Sequence, residues 1–125
     1  MRTVATRAEL EQSLAQLPRP IALVPTMGAL HAGHAALIAA ARRTAATVVV
    51  SIFVNPRQFA NAADAAQYPR TLEGDQRLAE AAGTDLLFTP TAEGIYPPDE
   101  RIVPIDPGPL ATRLEGASRP GHFAG

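Results

Sequence analysis

Two histidines three residues apart, His31 and His34, have the types and spacing best suited to chemistry in this sequence. Residues at that spacing share one face of a helix, and the Ala/Leu/Ile segment that follows predicts a helix beginning at this pair. Both imidazoles would then lie beside the unpaired N–H groups and the positive dipole end of the first turn. With Gly33 between them, the pair favours an anion site, and phosphate is the usual anion at a strand-to-helix turn.

A metal site and a coincidental surface pair are the alternatives for these histidines. The sequence has no Cys and only one other histidine, His122. A closed zinc site would therefore need carboxylates from elsewhere in the chain. We interpret the pair as phosphate ligands and predict no metal-ligating residue.

Asn55 and Gln58 form a second group of polar side chains. Their neutral donors and acceptors suit a hydroxylated or carboxylated small molecule. The alternative is an Asn-Pro turn that ends a strand and whose polar groups only cap backbone.

The elements around these residues predict a βαβ unit. An apolar run at 21–24 predicts a strand that ends in a turn at 25–28, followed by the histidine-bearing helix to about Thr44. The β-branched run at 47–54 is typical of a strand buried on both faces of a parallel sheet. Ligands of such sheets bind beyond the carboxyl ends of the strands, where Met27 and Asn55 fall.

The rest of the chain predicts further α/β elements. A first helix should begin at the Thr6–Glu9 capping-box spacing and end near Leu17 before Pro18 and Pro20. The other predicted elements are a loop at 60–66, a helix at 71–82, a strand at 85–89, a turn at 92–98, a strand-like alternation at 101–106, a short helix at 108–115 and a loop at 118–125 that carries Arg119 and His122.

Composition limits the classes of function. A chain of 125 residues with 46% hydrophobic and 18% charged residues corresponds to one globular domain. A net charge of −1 gives no sign of nonspecific nucleic-acid or membrane-surface binding. No apolar run approaches the ~18 residues of a membrane span, and no secretory signal is visible, so we expect a cytoplasmic protein.

All basic residues are arginine, because the sequence contains no Lys. This excludes a P-loop, whose lysine reaches the phosphates, and any Schiff-base mechanism. Nucleotide chemistry within these residues must rely on His, Arg, backbone N–H groups and a bound cation.

Four blocks of sequence, in order, resemble the pantothenate synthetase (pantoate–β-alanine ligase) family. They are Pro25-Thr-Met-Gly-Ala-Leu-His-Ala-Gly-His34, Ser51-Ile-Phe-Val-Asn-Pro-Arg-Gln-Phe59, Tyr68-Pro-Arg70 and Leu114-Glu-Gly-Ala-Ser-Arg-Pro-Gly-His-Phe-Ala-Gly125. The His-x-Gly-His pattern alone is shared with nucleotidylyltransferases and class I aminoacyl-tRNA synthetases. The four blocks together make the resemblance specific, and it implies a Rossmann-like parallel sheet with flanking helices.

The resemblance implies an AMP-forming ligase that uses ATP and Mg²⁺. Pantoate would attack ATP to give pantoyl adenylate, and β-alanine would then displace AMP to give pantothenate. It further implies a homodimer, with no nucleic-acid or membrane partner.

Residue roles follow from the same resemblance. His31 and His34 match the catalytic pair, and Tyr68 matches a gate over the pocket. ATP would be bound by Pro25, Thr26, Met27, Gly28, His31, Gly33 and His34, and pantoate by Met27, Phe53, Asn55, Gln58, Arg119 and His122. For Phe53 a buried strand position, and for Arg119 a structural role in a glycine-rich turn, remain the alternatives.

The resemblance covers only the first part of the family's length. A later Gly-Glu-Lys-Asp block, a second pantoate-binding Gln, a Met-Ser-Ser-Arg-Asn-type loop and a C-terminal lid domain do not occur in residues 1–125. We therefore interpret 1–125 as an incomplete N-terminal nucleotide- and pantoate-binding domain that alone binds weakly at best. The rival hypotheses are a non-catalytic nucleotide-binding or dimerisation module on the same fold and another nucleotidylyltransferase.

Overall fold

The computed structural model describes residues 1–59, 67–69 and 71–125, and the predicted loop at 60–66 lies outside them. Four strands form one parallel sheet with the order β1-β4-β3-β2. Their bounds are β1 (Arg2–Val4), β2 (Ile21–Thr26), β3 (Thr47–Ile52) and β4 (Leu86–Phe88). The predicted α/β fold with a parallel sheet is confirmed.

Helices connect the parallel strands. Among the described residues, three helices have eight or more residues: α1 (Arg7–Leu14), α2 (Ala32–Thr44) and α3 (Leu72–Ala81). Shorter pieces are α4 (Ala92–Ile95), α5 (Glu115–Ser118) and 3-10 turns at Pro56–Gln58, Pro109–Thr112 and His122–Ala124. The predicted capping box of Thr6 and Glu9 begins α1, which confirms that boundary.

The core lies on both faces of the sheet. Alternate residues of β3 point to opposite faces, so Val48 and Val50 join one buried cluster while Val49 joins the other. The first cluster includes Ile38 of α2 and Ala79 of α3, and the leucines of α1 pack against the second. The β-branched run therefore forms a strand buried on both faces, as predicted.

Several predicted boundaries were wrong. Strand β1 was not predicted, and it pairs with β4 at one edge of the sheet. Helix α1 ends at Leu14 rather than Leu17, a turn before the two prolines. Strand β2 continues through Pro25, which an edge strand tolerates because a missing N–H there breaks no ladder. Strand β3 ends at Ile52, two residues earlier than predicted.

The last quarter of the chain is less regular than predicted. Residues 101–106 form no strand. The helix predicted at 108–115 is instead a 3-10 turn followed by α5, because Leu114 has a φ of +49° that a continuous helix cannot contain. The turn predicted at 92–98 contains the short helix α4. In the described part of the chain, no helix has the length and apolar character needed to cross a membrane.

Candidate active site

The carboxyl ends of β2 and β3 open into a cavity of about 470 Å³. Residue pairing puts Thr26 opposite Ile52, so the turns that follow the two strands leave the sheet side by side. Among the described residues, the cavity is lined by Pro25, Thr26, Met27, His34, Ser51, Phe53, Asn55, Gln58 and Tyr68. Two separate blocks of sequence thus meet at the edge of the sheet where parallel folds bind ligands.

The two histidines cap the start of α2 reciprocally. The backbone N–H of Gly33 donates to His31 Nδ1 at 3.1 Å, and the N–H of His31 donates to His34 Nδ1 at 3.3 Å. The rings lie 4.1 Å apart, centroid to centroid. This capping box, here made by imidazoles, satisfies two backbone donors that a helix start leaves unpaired.

The capping box also determines where each imidazole holds its proton. A nitrogen that accepts a hydrogen bond has no proton, so the neutral rings of His31 and His34 each carry theirs on Nε2. Both Nε2–H groups are then available as donors at the positive end of α2. Because His34 lines the cavity, one of the two donors lies at its wall.

Gly33 is needed for this arrangement because of a close approach. A Cβ on Gly33 would lie 2.9 Å from His31 Cε1 and 3.1 Å from His31 Nδ1. Real Cβ atoms essentially never approach a heavy atom so closely, so a side chain there would displace the His31 ring. The glycine of the His-x-Gly-His pattern therefore serves the cap.

Burial of His34 has a consequence for its protonation. Partial burial, and then the neighbouring His31, lower the pKa of His34, while the negative charge of Asp75 opposes them. The ring is therefore neutral at pH 7, in the form that can accept the His31 N–H.

We predict that the folded chain loses stability as the pH falls below about 6.5. The unfolded chain protonates His34 near that pH, whereas the folded chain does so only at lower pH, so acid favours unfolding. Urea unfolding at pH 7.5 and 5.5 checks this, with His34→Gln as the control that removes the titrating group. An equal loss of stability in both proteins would contradict the prediction.

Asn55 is at the centre of a hydrogen-bond network beside Gln58. Its Oδ1 accepts the N–H of Arg57 at 3.1 Å and the hydroxyl of Tyr96 at 3.0 Å, while its Nδ2 donates to the Gly125 carbonyl at 3.0 Å. Both ends of the amide are thus engaged, by two backbone groups and by the Tyr96 hydroxyl. Asn55 holds the 3-10 turn that carries Gln58, whose side chain lines the cavity.

The predicted residues near the end of the chain differ in position. His122 Nδ1 lies 3.0 Å from the Gln58 carbonyl oxygen, so His122 holds the backbone at the end of the 3-10 turn Pro56–Gln58. Arg119 pairs with Glu115 at 3.4 Å, is half exposed and is not among the described residues that line the cavity. Neither residue is among the described residues that line the cavity, and His122 reaches only the backbone of Gln58, which does line it.

Of the other predicted residues, Pro25, Thr26, Met27, Phe53 and Tyr68 line the same cavity, whereas Gly28, His31 and Gly33 are not among its described lining residues. Thr26 donates to the Ser51 carbonyl at 2.8 Å and accepts the N–H of Gly28, so its hydroxyl joins β2 to β3 and holds the turn. Tyr68 packs edge-on against Phe59, with 5.8 Å between ring centroids. Its predicted role as a gate stays a prediction.

Sequence reasoning missed Asp75 and Tyr96. Asp75 is 3% exposed and accepts backbone N–H groups from the turn between β2 and α2. In the sequence it looks like one of several acidic residues favoured in a first helical turn. Tyr96 lay within a predicted turn, and no sequence signal linked it to Asn55.

A group of metal ligands is absent from the described ranges. In residues 1–59, 67–69 and 71–125, no three His, Cys, Asp or Glu side chains are grouped so as to hold a metal ion. The described residues alone therefore offer no site of three protein ligands for the Mg²⁺ that the resemblance implies.

Comparison with known proteins shows the family of this chain. The sequence model of the family described as pantoate-beta-alanine ligase matches residues 2–125. The pantothenate synthetase of Nocardia farcinica is 50% identical over 121 residues, which are 97% of this chain and 38% of that protein. The pantothenate synthetase of Mycolicibacterium vanbaalenii is 56% identical over 119 residues, which are 94% of this chain and 38% of that protein.

Solved structures give the same result. The crystal structure of pantothenate synthetase from Thermus thermophilus superposes with a TM-score of 0.87 at 51% identity, covering 99% of this chain and 44% of that one. The crystal structure of Francisella tularensis pantoate-beta-alanine ligase, complexed with beta-gamma ATP and beta-alanine, superposes with a TM-score of 0.90 at 41% identity. The match covers 100% of this chain and 49% of that one. This chain thus spans less than half the length of these relatives.

Proposed function

Because this chain belongs to the pantoate–β-alanine ligase family, we propose that it supplies the nucleotide and pantoate site of an AMP-forming ligase. The observation that carries the proposal is the capping box of His31 and His34 at the wall of a cavity that Gln58 also lines. The proposed reaction condenses pantoate with β-alanine to pantothenate, with ATP consumed and AMP and pyrophosphate released. It belongs to pantothenate and coenzyme A biosynthesis.

The first proposed step forms pantoyl adenylate. A carboxylate oxygen of pantoate attacks the α-phosphorus of ATP, and the bond to the bridging oxygen breaks so that pyrophosphate leaves. The carboxylate is already ionised at pH 7, so the step requires alignment of two anions and stabilisation of developing charge rather than a general base. The Nε2–H groups of His31 and His34 and the start of α2 supply that stabilisation.

In the second proposed step, the neutral amine of β-alanine attacks the acyl carbon of pantoyl adenylate. The C–N bond forms, the acyl–oxygen bond breaks, AMP leaves with the electron pair, and the nitrogen releases one proton to water.

Pantoate recognition is assigned to the wall formed by the second block of sequence. Gln58 would hydrogen-bond the hydroxyl and carboxylate oxygens of pantoate, and Phe53 and Met27 would contact its apolar carbons. Asn55 and His122 support this wall through the hydrogen bonds they make to its backbone. Tyr68 would close over the pocket, and Arg119 would approach it only if its loop moves.

ATP would lie against the turn between β2 and α2. Its phosphates would meet His31, Gly33 and His34, and Pro25, Thr26, Met27 and Gly28 would border the reacting centre. Mg²⁺ would enter with the phosphates of ATP, and no step is assigned to it. Residues 1–125 are proposed as the N-terminal domain of a cytoplasmic homodimer.

The rival hypotheses make different predictions for ligand binding. A nucleotidylyltransferase acting on a phosphorylated acceptor would need basic groups where the neutral Asn55 and Gln58 stand. A non-catalytic nucleotide module would bind ATP and ignore pantoate.

Thermal-shift titration of the 125-residue chain with ATP and with pantoate tests the proposal. We expect weak stabilisation by each ligand, because binding to the native state alone raises the melting temperature. Gln58→Ala should remove the pantoate response and keep the ATP response. Pantoate-dependent ATP–pyrophosphate exchange is expected only from a full-length protein, so rapid exchange by these residues alone, or a response to ATP alone, would contradict the proposal.

A further inference from the structure

Asp75 is a buried carboxylate of α3 that contacts the turn before α2. Its Oδ2 accepts the N–H of Ala29 at 3.0 Å, and its Oδ1 accepts the N–H of Leu30 at 2.7 Å. The hydroxyl of Thr71 donates to Oδ1 at 3.1 Å. Taking a carboxylate out of water is costly unless hydrogen bonds satisfy it, and these three donors do so.

The turn that Asp75 contacts has an unfavourable backbone conformation. Gly28 and Ala29 have φ angles of +87° and +52°, and the left-handed region is sterically unfavourable for an alanine. The carboxylate lies so near Gly28 that a Cβ there would be 3.1 Å from Oδ2. The two hydrogen bonds to Ala29 and Leu30 oppose the tendency of this segment to relax.

The position of the turn determines the position of the histidines. Leu30 is followed immediately by His31, the N-cap residue of α2. The backbone segment that Asp75 holds by hydrogen bonds therefore ends where the capping box begins. A rotation of the Ala29 or Leu30 peptide would redirect His31 and, through its N–H, the ring of His34. The carboxylate lies on α3, 45 residues beyond Leu30 along the chain.

We propose that Asp75 is a positioning residue of the nucleotide site, holding the Gly28–Leu30 turn so that His31 and His34 present their Nε2–H groups to phosphate. The inference rests on the proposed function, because it assigns a task to the same histidines. A carboxylate near a phosphate site repels the ligand, so its presence there is explained by what it does to the backbone.

The test compares Asp75→Asn with Asp85→Asn. An asparagine at position 75 would place its NH2 group, a donor, opposite one of the two backbone N–H groups. It would therefore lose at least one of the two hydrogen bonds to Ala29 and Leu30, with little change of side-chain volume. Asp85 is the control, because it also accepts a backbone N–H, that of Val48 at 2.8 Å, at the amino end of β3, and its ion pair with Arg42 lies at the end of α2 opposite the histidines. Both variants should lose stability, whereas only Asp75→Asn should disturb the site.

Two readouts separate the site from stability. By NMR, Asp75→Asn should shift the imidazole resonances of His31 and His34, lower the pKa of His34 and speed amide exchange at Ala29 and Leu30. In titration with ATP it should weaken affinity about tenfold or more, the effect of losing hydrogen bonds to a charged acceptor. Asp85→Asn should leave the imidazole resonances and the ATP affinity unchanged.

A further variant covers the case in which Asp75→Asn does not fold. Thr71→Val removes only the hydroxyl donor and should shift the same resonances by a smaller amount. Unchanged imidazole signals in Asp75→Asn, or in Thr71→Val if the first is unfolded, would overturn the proposal. If the wild-type chain does not bind ATP, the proposed function fails for these residues alone, and the NMR comparison still decides the role of Asp75.

Discussion

Replacing His34 with alanine in a full-length ligase that contains this chain is expected to lower pantoate-dependent ATP–pyrophosphate exchange by about 10²- to 10³-fold. The change removes the Nε2–H donor at the cavity wall and the Nδ1 acceptor of the His31 N–H. It therefore takes away charge stabilisation for the leaving pyrophosphate and loosens the cap that orients the second donor. Steady-state exchange rates at saturating pantoate and ATP give the measurement.

Two variants distinguish the lost donor from the lost cap. His34→Gln retains a side-chain acceptor at the third helical position, as capping boxes require, so it should recover stability without recovering most of the rate. Gln58→Ala should mainly raise the KM for pantoate. If His34→Ala instead changed only the affinity for pantoate, the assignment of His34 to the phosphates would be wrong.

Replacing Gly33 with alanine is expected to weaken nucleotide binding strongly while changing stability little. The new Cβ would collide with the His31 ring and displace it, which removes one Nε2–H donor and the bond from the Gly33 N–H. Loss of a cap costs about 1 kcal/mol, and replacing glycine by alanine in a helix returns up to about 1 kcal/mol. The two effects offset each other in the free energy of unfolding. Only the first, the loss of the cap with the displaced His31 ring, changes the contacts with the nucleotide.

Gly74→Ala is the matched control for this prediction. Gly74 lies in α3, and a Cβ there would meet nothing within 4 Å. It should stabilise the chain by about 0.5–1 kcal/mol and leave ATP affinity unchanged. Urea unfolding and ATP titration of both variants check the pair, and an unchanged ATP affinity in Gly33→Ala would show that the His31 ring does not contact the nucleotide.

Local patterns determined the elements with strong signals. The β-branched run of β3 could only be buried on both sides, and the Thr6–Glu9 spacing fixed the start of α1. The weak elements were mispredicted for a common reason. Strand β1 has three residues and exists because β4 offers it a partner, and the backbone at Leu114 breaks a helix in a way that propensity does not predict.

The sequence by itself determined that His31 and His34 lie at the start of α2, because the Ala/Leu/Ile segment that follows them has helix periodicity. Their mutual contact comes from the capping box, since His31 is the N-cap residue and precedes the helix. The sequence also placed the segment that carries Asn55 and Gln58 beyond the carboxyl end of β3, since parallel strands bring their carboxyl ends together. Only the tertiary structure decided which residues support that chemistry. Asp75 lies 46 residues from Ala29 and Tyr96 lies 41 from Asn55, and such contacts depend on packing that no local pattern encodes.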